Sequence, residues 1–255
     1  MPPSRAPRRW DVSERFLLAP LCGHSCRNSR PGLAVSPAVK KAITGILKVL
    51  GLYLVLNVGL FLMLRIIAQY TAFDDHAGFL QFKQAYLHNR VWKIAFYTHV
   101  FSSIFTLLAG LTQFSAEILK HHRGVHRIVG RLYAWDIIFV NFPAGLIMAI
   151  YANGHLPGKT AFLILDSLWL WFTVKAVIAI KKGDVARHRD YMTRSYALTF
   201  SAVTLRTWHL ILSSAFALSP LLLYQVDAWL GFVPNLLCAE WLIATRKKKA
   251  KAVSG

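Results

Sequence analysis

The chain has 255 residues, 55% of them apolar, and a mean hydropathy of +0.42. That is more apolar than a soluble core of this size requires, and the apolar residues gather in runs long enough to cross a bilayer. The 30 Lys and Arg against 11 Asp and Glu give a formal charge of +19. These cations sit at the termini and in alternate loops, a distribution that argues against nucleic acid as a partner. Three cysteines, with Cys238 inside an apolar run, make no disulfide framework.

Residues 1–40 are rich in Arg, Pro and Ser and read as a disordered, basic cytoplasmic arm, or as a start site placed too far upstream. Its one apolar run, residues 16–21, is broken by Pro20 and is too short for a signal-peptide core. Cys22, His24 and Cys26 offer three soft ligands, but in a floppy arm, and no metal site is assigned to them. Residues 41–245 read as a transmembrane domain, and residues 246–255 as a basic cytoplasmic tail beginning Arg246-Lys-Lys-Lys249.

Six apolar segments divide residues 41–245. Expected helices cover residues 42–67, 91–116, 128–151, 160–180, 193–214 and 225–245, with a kink at Pro143 in the third. A polar loop at 69–90 and a turn at Asn153-Gly-His-Leu-Pro-Gly158 separate the first three hairpin connections. The fold class expected is all-α: a polytopic membrane protein of six transmembrane helices, with helices two to five as a four-helix bundle and helices one and six outside it. The N-terminal arm, residues 118–127, residues 181–194 and the tail are rich in Lys and Arg, whereas the alternate loops are poor in them. Positive loops stay inside, so both termini are expected in the cytoplasm of a plasma or inner membrane. The expected partners are the lipid bilayer and, for the basic tail, anionic lipid headgroups.

The stretch His188 to Arg206, HRDYMTRSYALTFSAVTLR, opens with ionisable residues and then carries an arginine well inside an apolar run. An arginine at a helix centre in lipid costs about 2.5–3.5 kcal/mol on insertion scales, so it reads as functional or paired. The stretch His126 to Tyr133, HRIVGRLY, repeats the plan: His-Arg, a second Arg four or five residues later, and a Tyr two beyond that.

From about residue 97 to residue 243 the chain resembles a family of predicted membrane proteins catalogued as domain of unknown function 2306. The resemblance is carried by His99, by Gly110 with Gln113-Phe114, and by His126-Arg127 with Gly130-Arg131 and Tyr133. It continues through His188-Arg189, Met192, Arg194-Ser195-Tyr196-Ala-Leu-Thr199, Ala202 to Arg206, and Pro234-Asn235 with Glu240. The resemblance implies a multi-pass helical fold and brings no activity with it. Its architecture is distantly similar to that of the four-helix membrane cytochromes of the b type, an analogy of fold alone.

Depth along the helices sorts the polar residues. At about 1.5 Å per residue, His99, Asp166 and Arg206 lie level, roughly 8–12 Å in from the outer face. An Asp166–Arg206 ion pair beside His99 is therefore expected, since each charge offsets the other's desolvation. On the inner face lie His126, Arg127, Arg131, His188, Arg189 and Arg194, with Asp136, Lys175 and Glu240 deeper. Histidines among arginines make a site for an anion such as a headgroup, a haem propionate or a phosphate, with Arg131 and Arg194 as its main contacts.

The cofactor-binding candidates are thus His99, His126, His188, Arg131, Arg194 and Arg206. Haem b held by two imidazoles, His126 with His188 or His99 with His209, is one chemistry they serve, and a quinone is a second. A haem- or quinone-linked redox role is the leading reading; the alternatives are a transporter or proton relay through Asp136, Lys175, Glu240, Asp166, Arg206 and His99, or a non-catalytic lipid-binding or assembly protein. His122 and His126, four apart, are a weak zinc pair broken by Gly124, and no H-E-x-x-H pattern is present. No hydrolase elbow, P-loop or dinucleotide fingerprint occurs, so no catalytic residue is assigned.

Overall fold

The computed structural model describes residues 36, 39, 42–46, 59 and 61–254. Apart from Ser36 and Val39, the expected arm at 1–40 falls outside these residues, as does half of the first apolar segment. The chain forms two compact units, Met1–Lys48 and Val49–Gly255. In the first, residues 39 and 42–46 are helical, and Ser36 Oγ accepts the Val39 N–H at 3.3 Å.

The second unit is all helix and turn among the described residues. After a helical stretch at 61–68 come a 3-10 helix, Gly78–Tyr86, and then α1 (Arg90–Gln113), α2 (Ala116–His121) and α3 (Arg123–Asp136). A π-helical turn, Ile137–Asn141, joins α3 to α4 (Phe142–Ile150). The chain continues through α5 (His155–Lys181), α6 (Val185–Thr199), α7 (Ser201–Ala215), α8 (Pro220–Leu230) and α9 (Val233–Ser254). Among the described residues, four stretches are long and apolar enough to cross a membrane: Arg90–Gly110, Arg123–Ile150, His155–Lys181 and Pro220–Ala252.

Local chemistry sets most of the helix boundaries. Asn89 starts α1, its side chain accepting the N–H groups of Val91 at 3.0 Å and Trp92 at 3.2 Å. Asp184 caps α6 by accepting from Arg187 N at 2.9 Å, so the expected basic loop at 181–194 shrinks to a tight turn and His188 to Arg194 are helical. The expected kink at Pro143 is a π-turn just before it. Proline has no N–H to donate and its ring crowds the carbonyl four residues back, so the preceding turn widens. The fifth apolar segment is divided at Phe200 into two helices of 15 residues each, neither long enough alone to cross a bilayer.

Helices α5 and α6 form the most extensive pairing, an antiparallel hairpin; α1 packs on α3 and α4, α4 on α5, α7 on α8, and α9 on α6. One core cluster holds Tyr133, Ile137, Ala161, Trp169 and Leu198. A second gathers Tyr70, Leu80, Trp92 and Phe96 under the 3-10 helix. The stretch read as a polar loop is thus a folded cap, tied down by Tyr70 Oη, which accepts from Phe79 N at 3.0 Å. Asn235 secures both helix breaks together. Its amide donates to Ala197 O at 3.1 Å, to Thr204 Oγ1 at 2.9 Å and to Gly231 O at 3.1 Å.

Close approach between α1 and α6 rests on Gly110. A Cβ there would fall 1.9 Å from Cε2 of the Tyr196 ring, whose hydroxyl donates to Leu107 O at 3.2 Å. Replacing Gly110 by Ala is expected to cost about 1–3 kcal/mol, the usual penalty for overpacking. The melting temperature of the detergent-purified protein should fall accordingly, and Gly110→Ala combined with Tyr196→Leu should recover most of the loss. Equal stability of Gly110→Ala and the parent would refute this contact.

Candidate functional site

The most completely buried polar group is a chain of hydroxyls between α3, α5 and α6. Tyr133 Oη lies 3.0 Å from Ser195 Oγ and 2.8 Å from Thr199 Oγ1. Trp169 Nε1 donates to Thr199 Oγ1 at 3.0 Å, while Thr173 Oγ1 lies 2.8 Å from Ser195 Oγ and donates to Trp169 O at 2.7 Å. Tyr133, Thr173 and Ser195 are fully buried. Every member has a partner, so this network joins helices and offers no free group to a ligand. Residue-by-residue reading for charge passes over it. The signal available was the four-residue spacing of Ser195 and Thr199, which puts two hydroxyls on one helical face.

A different polar cluster surrounds the π-turn. Asn141, fully buried, donates from Nδ2 to Asp136 Oδ2 at 2.7 Å, and its Oδ1 has no partner. The Asn141 backbone carbonyl faces His99 of α1, whose Nδ1 is buried and unpartnered. One turn further on, Gly145 lets Asp166 of α5 approach: a Cβ there would sit 2.8 Å from Asp166 Oδ1. Asp166 is buried and its Oδ2 is also unpartnered. Three helical segments therefore bring His99, Asn141 and Asp166 to the same stretch of backbone, each with one hydrogen-bonding atom left over. A π-turn is well suited to this, because it releases backbone carbonyls from the regular ladder.

The expected Asp166–Arg206 ion pair is not formed. Arg206 Nη1 donates to Ala202 O at 2.7 Å, back along its own helix, and no carboxylate among the described residues reaches it. Arg206 does lie near enough to His99 for its charge to act there. The pair fails on azimuth, since Asp166 faces α4 while Arg206 sits on α7, which packs against α8.

On the side of the basic turns, His126 and His188 do lie near each other, close enough for His188 to act electrostatically on His126. His188 Nδ1 lies 2.9 Å from Ala176 O, and His126 Nδ1 is buried without a partner. Gln113 Nε2 is likewise buried and unpartnered, and Gln113 Oε1 would be 2.9 Å from a Cβ at Gly130, one turn from His126.

The two arginines expected over a shared pocket point elsewhere. Arg131 is exposed and has no acceptor among the described residues, on the same outward face as Ile128, Leu132 and Trp135. Two residues turn a helix by roughly 200°, so with Tyr133 in the core Arg131 must face away. Arg194 makes a two-pronged pair with Glu240 of α9: Nε meets Oε1, and Nη2 donates to Oε2 at 2.8 Å. Its guanidinium also lies over the rings of Phe172 and Tyr191, at 5.7 and 5.6 Å. The repeated His-Arg…Arg…Tyr plan thus places its histidines together and its arginines apart. Similarly, His209 is held by Asp227 of α8 at 2.7 Å, with its side chain 59% exposed, rather than turned toward His99.

An all-α chain with several apolar spans and buried ionisable groups between them defines an integral membrane protein. Residues 96–243, more than half of the chain, match the family described as predicted membrane protein (DUF2306), and the chain belongs to that family. No curated protein and no solved structure matches it.

Because Arg206 and Asp166 do not touch, Arg206→Leu and Asp166→Leu should act independently. Their stability effects should add to within about 0.5 kcal/mol in a double-mutant cycle. A coupling of several kcal/mol in denaturation experiments would instead restore the ion pair.

Proposed function

We propose that this is a six-span protein of the cell membrane, with both termini cytoplasmic, in which segments two to five form a bundle that passes protons. The observation that carries this reading is the trio of unpartnered buried atoms at the π-turn: His99 Nδ1, Asn141 Oδ1 and Asp166 Oδ2. An unsatisfied polar atom in an apolar interior costs about 1–3 kcal/mol, so three on one stretch need a use. Ionisable groups inside a membrane are expensive, and proton relays are one of their main uses. Asp136, hydrogen-bonded to Asn141, extends the line toward the basic end, and Arg206 sets the potential felt by His99.

In this reading His99 and Asp166 take up and release the proton, and Asn141 bridges them through its amide or an intervening water. Asp136 is the next acceptor. Arg206 places a positive charge near enough to act on His99. The exposed Arg127, Arg131 and Lys247 to Lys249 contact anionic headgroups and fix the protein's orientation.

A second reading, a quinone-linked redox role, is favoured by a separate observation. His126 Nδ1 and Gln113 Nε2 are both buried and unpartnered on facing segments, a pair of groups suited to holding a carbonyl. Haem b suits this face less well. Tyr196 covers Gly110 and Gln113 covers Gly130, so a macrocycle between His126 and His188 would have to displace both side chains.

Proteoliposomes carrying an internal pH-sensitive dye test the proposal, with a valinomycin-clamped potassium gradient as the driving force. The parent protein should acidify the lumen, and Asp166→Asn and His99→Gln should each slow that flux at least about tenfold, a loss of about 1.4 kcal/mol or more in barrier terms. Flux equal to that of empty vesicles would reject the relay. A Soret band or a stoichiometric extractable quinone, lost in His126→Ala, would favour the redox reading instead.

A further inference from the structure

The cap at the end of the bundle away from the basic turns contains a buried lysine in the wrong company. Lys83 of the 3-10 helix is 2% exposed, yet no carboxylate among the described residues meets it. Its ammonium donates to Asn153 Oδ1 at 2.7 Å and to the Tyr151 carbonyl, and it lies 5.1 and 5.6 Å from the ring centres of Tyr86 and Phe79. All of these are neutral groups. The charge that acts on Lys83 is another cation, Lys159, and burial with that repulsion lowers the Lys83 pKa to about 8. A buried charge among neutral dipoles beside a like charge is a costly arrangement without a counter-ion.

Beside it opens a cleft of about 490 Å³, lined by Tyr86, Asn153, His155 and Lys159 and by the backbone of Ala152 to Leu156. None of the lining residues is acidic. The backbone here turns through two successive left-handed residues, Gly154 at φ +85° and His155 at φ +53°. Gln225 of α8 donates to Gly154 O at 2.9 Å and holds the turn in place. The 27-residue helix α5 begins at the same point, and its first N–H groups have no acceptor within the helix. Pro157 removes one of them, leaving His155 and Leu156 as the donors nearest the cleft. The Lys159 ammonium, a histidine and a helix start thus meet at one acid-free opening of small-molecule size, with the Lys83 ammonium behind its wall at Asn153.

We infer that this cleft binds the oxyanion of a small ligand, a phosphate or carboxylate group, between Lys159 and the start of α5, with Lys83 behind it as the buried counter-charge. Lys159 and His155 make the direct contacts. Lys83 positions the wall through Asn153 and Tyr151 and supplies charge. This site is independent of the proton path, which lies at His99, Asn141 and Asp166, so failure of one leaves the other standing. The anion has two possible sources, a soluble molecule or the phosphate of an anionic lipid, and they are separable.

The test uses the full chain in neutral maltoside detergent, titrated with sodium phosphate or sodium acetate at constant ionic strength set with chloride. Unfolding is followed by tryptophan fluorescence. Saturable stabilisation by either anion is expected. Its apparent affinity should weaken at least tenfold in Lys159→Gln and fall in the parent as pH is raised from 7.5 to 9, as Lys83 loses its charge. A parallel arm compares nanodiscs of phosphatidylcholine with nanodiscs containing phosphatidylglycerol. Stabilisation by phosphatidylglycerol alone, absent in Lys159→Gln, assigns the site to a lipid headgroup. Stabilisation that is the same in Lys159→Gln and the parent overturns the inference in either arm. So does the absence of any response to phosphate, acetate and phosphatidylglycerol together.

Discussion

The hydrogen bonds of Tyr133 to Ser195 and Thr199 are the interaction on which the arrangement of helices depends. In a bilayer, apolar side chains gain little by meeting one another, because lipid tails are equally apolar. Helices associate instead through close packing of small residues and through hydrogen bonds between them. Tyr133 spans from α3 to α6, and Trp169 and Thr173 bring in α5, so three helices share one set of hydroxyls. Gly110 adds the complementary device on α1, letting the Tyr196 ring lie where a side chain would otherwise stand. Rotation of any of these helices about its axis would break bonds that lipid cannot replace.

That locked core determines where irregular backbone is tolerated. The π-turn at Ile137–Asn141 sits within the apolar stretch Arg123–Ile150, where a carbonyl without a donor is costly, and a second irregularity is the break at Phe200 between α6 and α7. Each is met by a side chain from a neighbouring segment: His99 at the Asn141 carbonyl, and Asn235 at the Ala197 carbonyl. Asn235 also reaches Gly231, so a single amide supports two breaks that lie side by side. The polar atoms that remain free are confined to the π-turn, to the His126 and Gln113 pair, and to a few scattered positions.

The charged residues follow a different logic. Arg194 is neutralised by Glu240, and Asp190 receives both Arg246 at 3.7 Å and Lys247 at 3.0 Å, so α6 and α9 are joined by ion pairs along their basic ends. These acids absorb cations that in the sequence looked available to a ligand. At the opposite end Asp75 takes Lys93, whereas Lys83 and Lys159 meet no acid among the described residues. A count of charge per loop ranks the basic turns as the cationic face. Pairing removes part of that charge and leaves these two lysines of the cap unanswered.

Hydropathy and the spacing of charge were sufficient, from the sequence alone, to make this an all-helical membrane protein with several apolar spans, because burying a backbone in lipid leaves few alternatives to a helix. The resemblance to its family was also visible there, over nearly the stretch that the family match covers, residues 96–243. Depth along a helix follows from residue number at a fixed rise, which is why His99 and Arg206 were rightly placed near one another. Azimuth does not follow, because it is decided by which neighbour each face packs against. Only the tertiary structure could turn Arg131 outward, give Arg194 to Glu240, and separate Arg206 from Asp166. It alone could fold residues 78–86 into a cap over α1, since Leu80 and Lys83 owe their burial to residues far away in the chain, Trp92, Tyr151 and Asn153 among them.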